Sequence, residues 1–346
     1  MPVAAPHSST LDLARALPKV EMHVHLEGSI RPETLLHLAR KNAVPLPART
    51  VEETERLYAY TTFLHFLEVY QICGQCLRTT EDFAEITHEF LRTQAEQNVK
   101  YSEVMVSLAD HLNRGLDPHS VLQGIFEGQR RGESDFGSRM QIILDAGRQW
   151  PELVTATSHI AVQYARRGVL GFGIGGDEAN FPPEMFEADF RRVREAGLRR
   201  TVHAGEAAGA ASMWGAIRVL HAERLGHGVH AHDDPALLRY LRETQLPIDM
   251  NPVSNLRTGA VASLAAHPIR RYFAEGLLIT VNSDDPPMFG TSLSNEYRVL
   301  MDELHFTFAE IRRLALNGIR ASFLGDEEKA RMEAAFNAEF DALEPS

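Results

Sequence analysis

Eight short β-like runs, each followed by a helical pattern, constrain the fold of this chain more than any other feature. The runs fall at 20–25, 101–107, 140–144, 169–174, 200–203, 224–228, 247–250 and 277–282. Strands separated by helices cannot pair as hairpins, so the crossovers place neighbouring strands parallel. Eight such units predict an α/β fold, a (β/α)8 barrel with its helices outside. A doubly wound open sheet is the alternative. Residues 1–346 read as one domain, because no repeat or Gly/Ser-rich linker divides them.

The helical segments carry their own signals. In 183–197 the apolar residues Met185, Phe186, Phe190 and Val193 recur at helical spacing, after Pro182 and Pro183 and before Gly197. Phe308, Ile311, Ala315 and Ile319 share one face, with Gly318 weakening the last turn. Near the end, Met332, Phe336 and Phe340 step by four. The connection between the first two runs is long and predicts extra helices over roughly 30–100. Its apolar cluster is Phe63, Leu64, Phe66, Leu67 and Tyr70. That connection leaves the barrel at the mouth where active sites form, so a helical lid over a substrate is expected, with an extra packing helix as the alternative.

Composition narrows the partners. Thirty-five basic residues face 47 acidic ones, a formal charge of −12 with His neutral. Such a surface repels polyanions, so neither nucleic acid nor an anionic membrane is an expected partner. No run approaches the ~20 apolar residues of a membrane span. The first ten residues lack a leader pattern, and Cys73 and Cys76 are the two cysteines. A cytoplasmic protein is expected. Cys73-Gly-Gln-Cys76 has redox spacing but no βαβ context, so it reads as structural. The pattern specifies no oligomeric state.

Residues able to do chemistry gather where the runs end. His23 and His25 lie two apart, so both imidazoles leave the strand on one side. His203-Ala-Gly-Glu206 ends the fifth run, His227 the sixth, and Ser283-Asp284-Asp285 the eighth. Singly, each has a plain reading: a packed histidine, a Glu27–His25 hydrogen bond, a pair of loop aspartates. Together, three histidines and an aspartate make a zinc shell with a position open for water. Other first-row divalent ions suit the same donors. A glutamate, a fourth histidine and a second aspartate remain for acid/base work. Lysine occurs only at 19, 41, 100 and 329, so no central strand offers a carbamylated lysine to bridge two metals, and one ion per subunit is expected.

The motifs V-E-M-H-V-H-L-E-G-S (20–29), G-G-D-E (175–178), H-A-G-E (203–206), R-L-G-H-G (224–228) and N-S-D-D-P-P-M-F-G-T-S-L (282–293) come in this order along the chain. In this the chain resembles the adenosine deaminase family. The resemblance implies a zinc-dependent barrel that removes the 6-amino group of a purine and releases ammonia. It implies His23, His25, His203 and Asp284 as zinc ligands. Glu206 would protonate the ring nitrogen N1. His227 and Asp285 would orient and deprotonate the zinc-bound water, and Asp285 would also meet N7. The backbone amide of Gly176 would donate to N3, and His25 would face the substrate as well.

Substrate choice turns on departures from the family pattern. Glu27 stands where adenosine-specific members carry Asp for the ribose 5′-hydroxyl. Adenine deaminases also carry Glu there. The Phe289-Gly-Thr-Ser-Leu293 run looks nucleoside-type. Arg148 is a candidate for an anionic substituent, with a plain ion pair as its other reading. The expected substrate is a small adenine nucleoside, either adenosine or a 5′-modified adenosine such as aminodeoxyfutalosine. Free adenine comes second. Another mononuclear metal hydrolase and a noncatalytic nucleoside-binding protein are the remote alternatives.

Overall fold

The computed structural model describes residues 9–60 and 63–344. Residues 1–8, where no leader is expected, and the side chains of Phe63 and Leu64 lie outside the described residues. Eight strands form one parallel sheet in chain order: β1 (Lys19–His25), β2 (Val99–Val106), β3 (Arg139–Gly147), β4 (Val169–Gly175), β5 (Arg199–Ala204), β6 (Arg224–His227), β7 (Ile248–Met250) and β8 (Ile279–Val281). The ring closes between β8 and β1. His25 N–H donates to Asp284 O at 2.9 Å, and Asp284 N–H donates to His23 O at 3.2 Å. Asn282 Oδ1 accepts the amides of Met22 and His23 at 2.8 and 3.2 Å. The (β/α)8 expectation holds and the open sheet does not.

Strands covered on both faces are buried along most of their length, as parallel sheets require. Inside the barrel, Arg224 is fully buried between Glu103 Oε2 and Asp249 Oδ2, each 2.6 Å away. This triad fills the interior below the mouth and satisfies charges that would otherwise be prohibitive there.

Between β1 and β2 the described residues form four α-helices, Pro32–Lys41, Val51–Leu57, Phe63–Gln75 and Thr80–Glu96. Helix Phe308–Ala321 continues through Gly318, because a Cβ there would stand 2.5 Å from Val20 Cγ2. The glycine lets this helix lie close against β1. Segment 183–197 differs from expectation. It is a 3-10 turn, Pro183–Phe186, followed by helix Glu187–Glu195. Pro183 opens the 3-10 turn. Met185 is exposed, while Phe186, Phe190 and Val193 are buried. Cys73 and Cys76 are buried free thiols, and burial raises both pKa values, that of Cys76 to about 11. Thiols held protonated this way are poor redox nucleophiles. Among the described residues no helix is long and apolar enough to cross a membrane.

Candidate functional site

Strand ends bring the predicted donors together at the C-terminal mouth of the barrel. His23 and His25 come from β1, His203 from β5, and Asp284 from the residues after β8. One ligand atom from each of the four lies within 4.8 Å of the others. His23 Nε2 and His25 Nε2 stand 3.3 and 3.4 Å from Asp284 Oδ1. His25 Nε2 is 3.3 Å from His203 Nε2. His203 Nδ1–H donates to Ile174 O at 3.0 Å, which leaves the Nε2 lone pair facing the cluster.

Electrostatics suit this cluster to a cation. Burial lowers the pKa of His23 to about 4, and burial plus the neighbouring histidines pull His203 well below its usual value. Burial alone would raise Asp284, but its His23 hydrogen bond and the surrounding imidazoles outweigh that and hold it strongly ionised. Neutral imidazoles beside a carboxylate are the protonation states a metal needs. Nδ1 of His23 and Nδ1 of His25 are buried without hydrogen-bond partners, and His23 Nε2 faces the Asp284 carboxylate. Room is provided too: a Cβ on Gly226 would sit 2.7 Å from His23 Cε1.

Around the cluster stand Glu206, His227 and Asp285. His227 Nε2 lies 3.5 Å from Glu206 Oε2 and 4.0 Å from Asp284 Oδ2. Burial raises Glu206, opposed by nearby His227. Burial and the Asp284 charge raise Asp285. His227 and Asp284 both have left-handed backbones, with φ 65° and 66°. That conformation is costly outside glycine and recurs at functional sites.

These groups line one cleft of about 90 Å3, together with Gly176. Phe66, Leu67 and Tyr70 of helix Phe63–Gln75 cover it. Phe66 stacks on Phe289 with ring centroids 5.0 Å apart. Ser107, Asp110, Asp145 and Gln149 supply further polar surface.

Two candidates from the sequence sit differently. Glu27 is buried beside the cleft with its carboxylate engaged. His111 Nε2 is 2.7 Å from Oε1, while Ser107 N–H and Tyr70 O–H reach Oε2 at 3.2 and 3.3 Å. Burial pushes its pKa up, but the His111 contact wins and holds it low. Arg148 is fully buried behind the cleft, donating to the carbonyls of Phe181 and His203. It braces the end of β5 and is not among the residues lining the cleft.

Several site residues had no role in the sequence reading. Glu178 accepts the amides of Gly205, Glu206, Ala207 and Ala208 at 2.6 to 3.0 Å, fixing the turn that carries Glu206. Its place in G-G-D-E was the available signal. Ser254 Oγ–H donates to Asp284 Oδ2 at 2.6 Å. Asn255 and His267 form a buried chain behind His227.

This barrel, with a four-donor cluster and further ionisable side chains at its mouth, defines a hydrolase of the (β/α)8 class. The sequence profile described as Adenosine deaminase matches residues 18–338. An adenine deaminase of Wolinella succinogenes is 35% identical over 92% of this chain and 96% of its own length. An aminodeoxyfutalosine deaminase of Streptomyces avermitilis is 36% identical over 92% of this chain and 90% of its own. An amidohydrolase from Burkholderia ambifaria with bound Zn superposes with a TM-score of 0.90 at 29% identity, covering 98% of this chain and 95% of that one. The chain belongs to the adenosine deaminase family and is a hydrolytic deaminase.

Proposed function

We propose that the chain deaminates the 6-position of an adenine nucleoside, with one zinc ion held by His23, His25, His203 and Asp284. The observation that carries this reading is that Glu206, His227 and Asp285 line the same cleft as His25, His203 and Asp284 of that cluster. Three imidazoles and a carboxylate, with buried ring nitrogens left unpartnered, suit such an ion. When bound, zinc makes a water acidic near neutral pH and so supplies a nucleophile for C6.

The protein groups do the rest. Glu206, whose pKa burial raises, gives a proton to ring N1 as C6 is attacked, so the C6–N1 π pair has somewhere to go. His227 and Asp285 hold the attacking oxygen on the face of the ring. Asp285 also meets N7, and the Gly176 amide donates to N3. The C6–N bond then breaks, and the amine takes a proton from the acid/base set and leaves as ammonia. Phe66, Leu67 and Tyr70 keep bulk water off the ring.

Ser107, Asp110, Asp145 and Gln149 offer hydrogen bonds beyond the ring, which suits ribose hydroxyls. Among the described residues no lysine or arginine lines the cleft. An uncharged nucleoside such as adenosine is therefore favoured over a carboxylate-bearing one such as aminodeoxyfutalosine. One observation favours a second reading, free adenine: the Glu27 carboxylate is already engaged and does not wait for a 5′-hydroxyl. Loss of the 6-amino chromophore on adenosine, adenine, methylthioadenosine and aminodeoxyfutalosine decides among them. Adenosine is expected to give the highest kcat/KM. Highest turnover of adenine establishes the second reading. Preference for aminodeoxyfutalosine overturns the charge argument, and no turnover of any by the zinc-loaded enzyme overturns the whole proposal.

A further inference from the structure

We propose that Asn255 and His267 are positioning residues that fix the ring proton of His227 on Nε2, facing the cleft. The proposal rests on the deaminase reading, in which His227 stands beside the attacking oxygen. A chain of buried hydrogen bonds behind His227 begins at a backbone amide and therefore has a defined direction.

The first link is Ile269 N–H, 3.2 Å from His267 Nδ1. A backbone amide can only donate, so His267 Nδ1 is an acceptor. Burial lowers the His267 pKa to about 3, so the ring is neutral and carries its one proton on Nε2. That Nε2–H meets Asn255 Oδ1 at 3.0 Å. The contact fixes the Asn255 amide, because turning it over would set an NH2 against an N–H. Asn255 Nδ2 then donates to His227 Nδ1 at 2.9 Å. Asn251 Nδ2 stands 3.2 Å from the same atom. His227 Nδ1 is thus an acceptor, and the proton sits on Nε2. Asn251, Asn255, His227 and His267 are all buried, so water does not scramble the arrangement.

The chemical consequence is specific. In this tautomer His227 presents an N–H to the attacking oxygen and has no lone pair there. It orients that oxygen by donation. The proton leaving the water must then be accepted by another group, the role the proposed mechanism gives Asp285. His227 and Asp285 thereby divide their work into donor and acceptor.

The test uses the zinc-loaded enzyme labelled with 15N in its histidine rings. Two-bond 1H–15N correlations report which nitrogen bears hydrogen, and the His227 signals are identified by their loss in His227→Gln. The wild type is expected to show a protonated Nε2 and a pyridine-like Nδ1. In Asn255→Asp the carboxylate accepts from both rings and draws the His227 proton to Nδ1. The signature should switch, and kcat should fall on the order of 10²-fold or more, as for an imidazole held in the wrong tautomer, with KM little changed. His267→Gln keeps a donor toward Asn255 and should keep both signature and rate, whereas His267→Leu should lose both. A wild-type signal with the proton on Nδ1 overturns the proposal, as does an Asn255→Asp enzyme that keeps rate and signature. If Asn255→Asp does not fold, the wild-type signature and the His267 pair still decide. A wild type with protonated Nε2 that deaminates no adenine compound refutes the activity and leaves the relay standing.

Discussion

Gly28 and Asp285 compete for one volume: a Cβ on Gly28 would stand 1.6 Å from Asp285 Oδ1 and 2.5 Å from its Cγ. Gly28 follows β1 in the 3-10 turn Glu27–Ser29, so that turn lies directly against the carboxylate. In Gly28→Ala the Asp285 side chain must leave its place. Since a positioned acid/base group contributes about 10² to 10⁴ in rate, kcat should fall at least 10²-fold. Circular dichroism should stay native and zinc content near one per chain. A variant with full activity would show that Asp285 is not needed where it stands.

Glu206→Gln should lower kcat by about 10² to 10⁴ while zinc binding persists. Burial raises the Glu206 pKa, and the step needs its protonated form. The wild-type rate should therefore fall as pH climbs through that raised pKa, and the residual rate of the Gln variant should lack that limb. A pH–rate profile of kcat for both enzymes checks this.

Glu178→Gln should act through Glu206. The amide keeps one oxygen for the three donors on Oε2 and sets its NH2 against the buried Gly205 N–H, leaving that donor unsatisfied at about 1–3 kcal/mol. A lower melting temperature and reduced kcat at constant zinc content are expected. Unchanged kcat would remove Glu178 from the machinery.

Glu296 gives a stability signature. Burial raises its pKa to about 8, against hydrogen bonds with Thr291 and the Val253 amide. Its folded pKa exceeds the unfolded value, so its contribution is full below about pH 4.5 and is lost as pH rises through 8. Urea unfolding should show stability declining by on the order of a few kcal/mol across that window. Glu296→Gln, which stays neutral and keeps one acceptor and one donor, should flatten the decline.

Chelation should destabilise the protein reversibly. An ion that binds only the folded state adds about 2.7 kcal/mol at one hundred times its Kd. Removal should lower the melting temperature, and zinc should restore it. His23→Ala and Asp284→Ala should melt alike with and without zinc. A wild type indifferent to chelator and zinc would refute the metal centre.

Sequence alone determined the barrel and the cluster, for a physical reason. Strand and helix periods are local properties, and eight alternations leave few ways to bury every strand. His-x-His on β1 and acids at strand ends then fall on one rim, because all parallel strands end on the same side. The tertiary structure decided what depends on partners distant in the chain. Arg148 carries a charge that suits a ligand, yet its guanidinium is used by the carbonyls of Phe181 and His203. Glu27 follows His25 closely, yet its carboxylate is held by His111, 84 residues away. His267 lies in no motif and reaches His227 only because Asn255 stands between them. A hydrogen bond's direction is set by the whole chain of donors and acceptors around it, and only folding assembles that chain.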